Sequence, residues 1–396
     1  MGTTGTAAGT AVITFTDSEL DPYVTHAPTR RWLTGPGLPG VGGLLTFDAL
    51  RADGLRTVGD STGEPDGGMA AGLSEQLVIG GLAGSGGPRG ESVLLDGSTG
   101  EITTTYFLHD RPHLMDRRPL APSLETLVRF ATAADELAAL RGQFAAYAGR
   151  YGPEAVAQAS AQLLALYEAG AHGEVPPFWR LIAVIRPLAL IAGPGTRSDL
   201  ALDLPPRLLD DEFGSRAVVR FEDVDFPSAL THEPTRRFLA EVGLPEECVW
   251  FALDTDAPLP TLADHHADDG HTRLPAEAAH LIRLGALSDG VSLVLDGTTG
   301  AVLTWSGEAS ALRPLNADVS TLAVTLWLIH RAKTLDADHD LTEAYDQLAA
   351  TLTRTLATLD PLACARTPAA AREDYGRCYW PSVFADEADG GLRSAV

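Results

Sequence analysis

One nine-residue stretch occurs twice in this chain. Thr25-His26-Ala27-Pro28-Thr29-Arg30-Arg31-Trp32-Leu33 returns as Thr231-His232-Glu233-Pro234-Thr235-Arg236-Arg237-Phe238-Leu239, 206 residues later. Seven of the nine positions are identical, and each copy runs on to a Gly-Leu-Pro, at Gly37 and Gly243. A second pair keeps the same order: Leu95-Asp96-Gly97-Ser98-Thr99-Gly100 and Leu295-Asp296-Gly297-Thr298-Thr299-Gly300. A third joins 120–127 (LAPSLETL) to 315–322 (LNADVSTL). A period near 200 residues is domain-sized, so the chain reads as two copies of one globular unit rather than a solenoid. The expected units are 11–195 and 200–390. The Gly/Thr/Ala-rich residues 1–10 are expected to be a flexible tail, and the boundary is placed in the Gly/Pro-rich 193–198.

Within each unit the expected elements alternate. Residues 11–15 (AVITF) and 217–221 (AVVRF) are apolar and β-branched, as strands require. Pro28 and Pro234 suit the first turn of a short helix, with Thr25/His26 and Thr231/His232 in front of it as caps. Arg30, Arg31, Arg236 and Arg237 are expected to pair with nearby carboxylates. Strand, Asp-Gly turn, Gly, strand is a hairpin signature, so Asp96, Gly97 and Gly100, like Asp296, Gly297 and Gly300, are read as turn residues. Helices follow at 124–140, 153–167, 319–329 and 341–359, each with an apolar stripe. The apolar run 178–193 is broken by Arg186-Pro187 and reads as a kinked buried helix, not a membrane span. The resulting fold class is α+β: two tandem units, each a β-sheet with a hairpin flanked by helices.

Charge narrows the partners. The formal net charge is −24. Residues 1–198 carry 20 acids and 14 bases, residues 199–396 carry 33 and 15. Such a field disfavours nucleic acid and anionic membrane, which are held by Lys/Arg contacts to phosphate. It accelerates encounter with basic proteins. Three scattered cysteines and no secretory leader lead to the expectation of reduced thiols in a cytoplasmic protein.

Enzyme templates find no match. There is no Gly-x-Ser-x-Gly, no His-Glu-x-x-His, and no deaminase His-x-Glu with Pro-Cys-x-x-Cys. The Asp-Gly-x-Thr-Gly turns have too few oxygen ligands for calcium. The glycine run 81–90 lacks the Gly-Lys-Ser/Thr ending of a phosphate loop. The most metal-like cluster is 264–271 (DHHADDGH), which matches no defined ligand spacing and reads as a solvated loop. With two acids ahead of it, it supplies the candidate partner-contacting residues instead: Asp254, Asp256, Asp264, His265, His266, Asp268 and Asp269. No catalytic, metal or cofactor residue is assigned.

Taken together, Phe221, Pro227, the Thr231–Leu239 stretch, Gly243-Leu244-Pro245, Leu295–Gly300 and Trp380 resemble the SUKH superfamily, and within it the fourth subfamily. The resemblance spans nearly all of 200–390 and returns more loosely over 11–195, where Pro227 has no counterpart. It implies an α+β domain and a non-enzymatic immunity protein. Such a protein binds and neutralises a nuclease or deaminase toxin of a bacterial polymorphic toxin system. A basic toxin domain would be the protein partner. An intracellular adaptor or regulatory scaffold is the alternative, and an enzyme the third reading.

Overall fold

The computed structural model describes residues 12–40, 43–62, 69, 72–83, 90–108, 111–248, 250–255, 258–267, 273–287, 290–307, 311–339, 341–365 and 378–388. Residues 1–10, most of the glycine run at 84–89, and Asp256, Asp268 and Asp269 lie outside them. Chain contacts group residues 1–148 with 159–183, and residues 149–158 with 184–396.

The first group opens with β1 (Val12–Ile13), α1 (Ala27–Thr34) and β2 (Leu38–Pro39). Then come β3 (Leu45–Thr46), α2 (Asp48–Asp53), β4 (Arg56–Thr57), α3 (Val58–Thr62) and β5 (Leu77–Leu82). The hairpin strands β6 (Glu91–Leu95) and β7 (Ile102–Tyr106) lead to β8 (Arg118–Ala121) and α4 (Leu124–Ala138). Helices α5 (Pro153–Ala171) and α6 (Pro177–Ile185) follow, of which residues 153–158 and 184–185 belong to the second group. The sheet runs β3-β5-β6-β7-β8, antiparallel, with β4 also on β5. Ser123 caps α4 by accepting from the Thr126 N–H at 3.2 Å. The core gathers Phe130, Tyr167 and Trp179, with ring centroids 4.8 to 5.4 Å apart. The Trp179 indole donates to the Leu120 carbonyl at 2.8 Å, so its one polar atom is satisfied while the ring is buried.

Helix α6 stops at Ile185, and a 3-10 turn takes over at Arg186–Leu190. Pro187 is the cause, since it lacks the N–H an α-helix would need there.

The second group holds β9 (Gly193–Pro194), β10 (Leu202–Asp203), α7 (Leu208–Phe213) and β11 (Val218–Val219). It continues with α8 (Glu233–Glu241), β12 (Leu244–Pro245), β13 (Glu247–Cys248), β14 (Phe251–Leu253) and α9 (Leu262–His265). Strands β15 (Leu281–Leu287), β16 (Ser292–Asp296), β17 (Val302–Ser306) and β18 (Ala311–Asn316) complete an antiparallel sheet in the order β13 to β18. Helices α10 (Val319–His339), α11 (Tyr345–Leu359) and α12 (Tyr379–Ala388) close it. The first half of α10 is buried on every side, from Val319 to Ile329. A helix apolar all round is an interior helix.

The Gly/Pro-rich stretch at 193–198 is not a loose linker. β9 pairs with β10, and the Asp203 carboxylate accepts from the N–H groups of Thr196, Arg197 and Ser198 at 2.9 to 3.1 Å. Burial alone would raise that carboxyl, but the hydrogen bonds from Ser198 and Arg197 outweigh it and hold it at about 2.

The two copies share more geometry than the sequence shows. Val12–Ile13 pairs with Leu38–Pro39 as Val218–Val219 pairs with Leu244–Pro245. Both sheets carry a register shift at one glycine, Gly80 on β5 and Gly285 on β15. A Cβ there would meet the Thr46 carbonyl at 2.3 Å or the Ala252 carbonyl at 2.2 Å, so only glycine lets the neighbouring backbone approach. β8 and β18 are not among the expected strands, and each contains a proline, Pro119 or Pro314. Both lie at a sheet edge beside a register shift, where a missing N–H costs no ladder bond.

Candidate functional site

The two repeated signatures are joined to each other within each unit. The Gly97 carbonyl accepts from the N–H groups of both Thr25 and His26, at 2.9 and 2.8 Å. The Gly297 carbonyl does the same for Thr231 and His232, at 2.8 and 2.9 Å. The hairpin turn therefore satisfies backbone donors just ahead of α1 and α8, donors that a helix start leaves without partners. Asp96 and Asp296 hold the turn: each carboxylate accepts from the N–H groups two and three residues on, at 2.8 to 3.0 Å. Burial would raise Asp96, but its bonds from Ser98 and Thr99 leave it below the ordinary carboxylate range.

His26 and His232 occupy the N-cap positions, and Pro28 and Pro234 sit in the first turn. Neither imidazole caps a backbone N–H. Each instead bonds a threonine one turn on, His26 Nδ1 to Thr29 Oγ1 at 2.9 Å and His232 Nδ1 to Thr235 Oγ1 at 2.8 Å. Both threonines are buried. Gly100 and Gly300 face these pairs at φ of +84° and +78°, and a Cβ on either would come 2.4 Å from the imidazole Nδ1. Arg30 donates to the Val24 carbonyl and pairs with Asp17, both at 3.0 Å. Arg236 repeats this with the Leu230 carbonyl at 3.2 Å and Asp223 at 3.1 Å. Its guanidinium also lies 5.0 Å from the centre of the Phe226 ring. Arg31 and Arg237 are exposed.

The acidic candidates of the second unit are not gathered in one place. Asp254 is half-buried and ion-paired with Arg283. Burial lowers the Arg283 pKa. Arg283 had no sequence signal as a partner, since it lies on β15, 29 residues away. Asp264 forms a capping box with Thr261, accepting from its N–H and hydroxyl while its own N–H bonds Thr261 Oγ1 at 3.1 Å. His265 is exposed, and its ring meets His266 edge-on at 4.8 Å. His266 in turn meets buried Trp305 at 5.0 Å. The loop is thus fastened to the sheet through an aromatic contact. Among the described residues, no group of three His, Cys, Asp or Glu side chains could hold a metal ion. No described helix is long and apolar enough to cross a membrane.

The cysteines are thiols. Burial pushes Cys248 up to about 11 and Cys364 up to about 12, the latter helped by neighbouring Cys378.

A buried polar cluster finishes the second unit. Asp360 accepts from the Asn316 side chain and the Ala317 N–H, both at 3.0 Å, and Asn316 accepts from the Trp380 indole at 2.9 Å. Every group here has a partner, as burial demands. Its residues fix where β18, α11 and α12 meet, which accounts for Trp380 as a signature residue.

No curated protein and no solved structure matches the chain. The family model of the SUKH-4 immunity protein matches residues 3–168 and again 204–386. Two matches in tandem agree with the repeated signatures and the repeated sheets, and the chain belongs to the SUKH-4 immunity protein family as two successive copies of its unit.

Proposed function

We propose that this protein binds a toxin domain of nuclease or deaminase type and blocks it by occupying its surface, without catalysis. The observation that carries this reading is the tandem SUKH-4 immunity match. The charge supports it. The second half holds most of the excess acid, and Glu222, Asp223, Glu233, Glu247 and Glu277 lie exposed on it. Nuclease domains carry basic surfaces for phosphate, so an acidic binder meets them with complementary charge. The long-range field sets the rate of encounter, and a few well-packed contacts set the affinity.

The cytoplasm, where such a toxin would act, is the matching compartment. The partner-contacting residues on this reading include the exposed Asp264 and His265, together with Asp256, Asp268 and Asp269, which lie outside the described residues.

The test is to co-express the protein with the toxin domain encoded beside its gene and follow growth, then measure association across salt concentrations. Restored growth and an association rate that falls with salt are expected. No protection, with no salt-sensitive binding, would refute the reading.

A further inference from the structure

The two copies provide an internal comparison. Where a residue is shared, the fold usually says why: the imidazole–threonine pair, the turn glycines, the first arginine of each Arg-Arg pair, and the buried Leu33 and Leu239. The second arginine is different. Arg31 and Arg237 are exposed, and neither has a hydrogen bond or ion pair among the described residues. Solvent-facing positions around them have drifted. Ala27 corresponds to Glu233, Thr34 to Ala240 and Gly35 to Glu241.

Two local explanations each cover one copy only. A cation in the last turn complements the helix dipole. Arg31 lies in the last turn of α1, but α8 has no basic residue in its last turn. Glutamates four residues away support an arginine on a helix. Glu233 and Glu241 flank Arg237 in this way, whereas Ala27 and Gly35 flank Arg31. Among the described residues, no intramolecular role is common to both.

We infer that Arg31 and Arg237 are docking anchors, each donating to a carboxylate on the protein partner of the immunity reading, on which this inference rests. The guanidinium is a planar, permanently charged fork that matches a carboxylate in two parallel hydrogen bonds. A single carboxylate approaching it is tolerated in a chain of net charge −24, whereas a polyphosphate is repelled along its length. Arg31 carries the stronger field, because no acid neutralises it at four-residue spacing.

The experiment uses the full chain and the toxin domain encoded beside its gene. Binding is measured by calorimetry for wild type, R31E, R237E and the double variant, with R31K as the conservative control. All variants are expected to stay folded with only a small drop in melting temperature, since both side chains are exposed and give up only a helix-end or four-residue charge interaction. Affinity is expected to fall on the order of 10-fold for R31E, less for R237E, and by the product of the two, below about 100-fold, for the double variant. Carboxylate-to-arginine changes on the toxin surface are then expected to restore binding to the double variant. Wild-type affinity in the double variant would overturn the inference and leave the immunity reading standing. Failure of wild type itself to bind would overturn both.

Discussion

Replacing Gly300 by alanine tests the junction between the two signatures. The residue sits at φ +78°, and its new Cβ would lie 2.4 Å from His232 Nδ1 and 2.9 Å from Thr235 Oγ1. A left-handed conformation costs a residue with a Cβ roughly 1–2 kcal/mol. Relief of the clash requires the imidazole to move, giving up its 2.8 Å bond to buried Thr235, a net loss of about 1 kcal/mol. The repacking that follows adds a further ~1 kcal/mol. G300A is therefore expected to lose about 3–4 kcal/mol.

Gly149 is the control. It has φ +76° with nothing within 4 Å of an added Cβ, so G149A carries the backbone cost alone. Thermal unfolding followed by tryptophan fluorescence reads the difference. At about 2–4 °C per kcal/mol for a unit of this size, G300A should melt roughly 4–8 °C below G149A. Equal melting temperatures for the two variants would refute the claim that the turn glycine is required by the histidine behind it. G100A, placed against His26 and Thr29 in the same way, should behave like G300A.

Other outcomes follow from single groups. D360A leaves the Asn316 amide and the Ala317 N–H without their acceptor in a buried site, so urea unfolding should show a loss on the order of 3 kcal/mol. Asp203 is held at about 2, below the ordinary aspartate value near 4. Its folded pKa is the lower one, so its contribution is present above pH ~4 and is lost as pH falls from ~4 towards ~2. D203N should be less stable than wild type at neutral pH, with a flatter melting-temperature profile across that acid range. Cys248 and Cys364, raised to about 11 and about 12, should resist a thiol reagent in the native protein at pH 7.5 and react on unfolding. Rapid native labelling at either position would contradict their burial.

Much of each unit was legible because its signals are local. Pro28 and Pro234 mark helix starts through their fixed φ and missing N–H, and α1 and α8 begin one residue before them. The Asp-Gly-x-Thr-Gly turns declare their hairpins, and β6 and β7, like β16 and β17, run directly into and out of them. Other features carry no local signal. β8 and β18 contain prolines and are strands only because each lies at a sheet edge beside a bulge. The bulge glycines Gly80 and Gly285 need a neighbouring strand before their missing Cβ has meaning. Asp254 reads as a free loop acid until β15 brings Arg283 against it.

By itself, the sequence determined that there are two copies of one α+β unit, that the starts of α1 and α8 and the two hairpin turns sit where they do, and that the chain is strongly acidic. These rest on repetition, turn chemistry and charge, all of which are written along the backbone. Tertiary structure decided that the two signatures are halves of one junction, since Thr231 and Gly297 meet across 66 residues of chain. It also divided the twin arginines, tying Arg30 and Arg236 inward and leaving Arg31 and Arg237 to solvent. The physical reason is that a hydrogen-bond partner or an exposed face is a property of position in space, which adjacent residues of identical chemistry do not share.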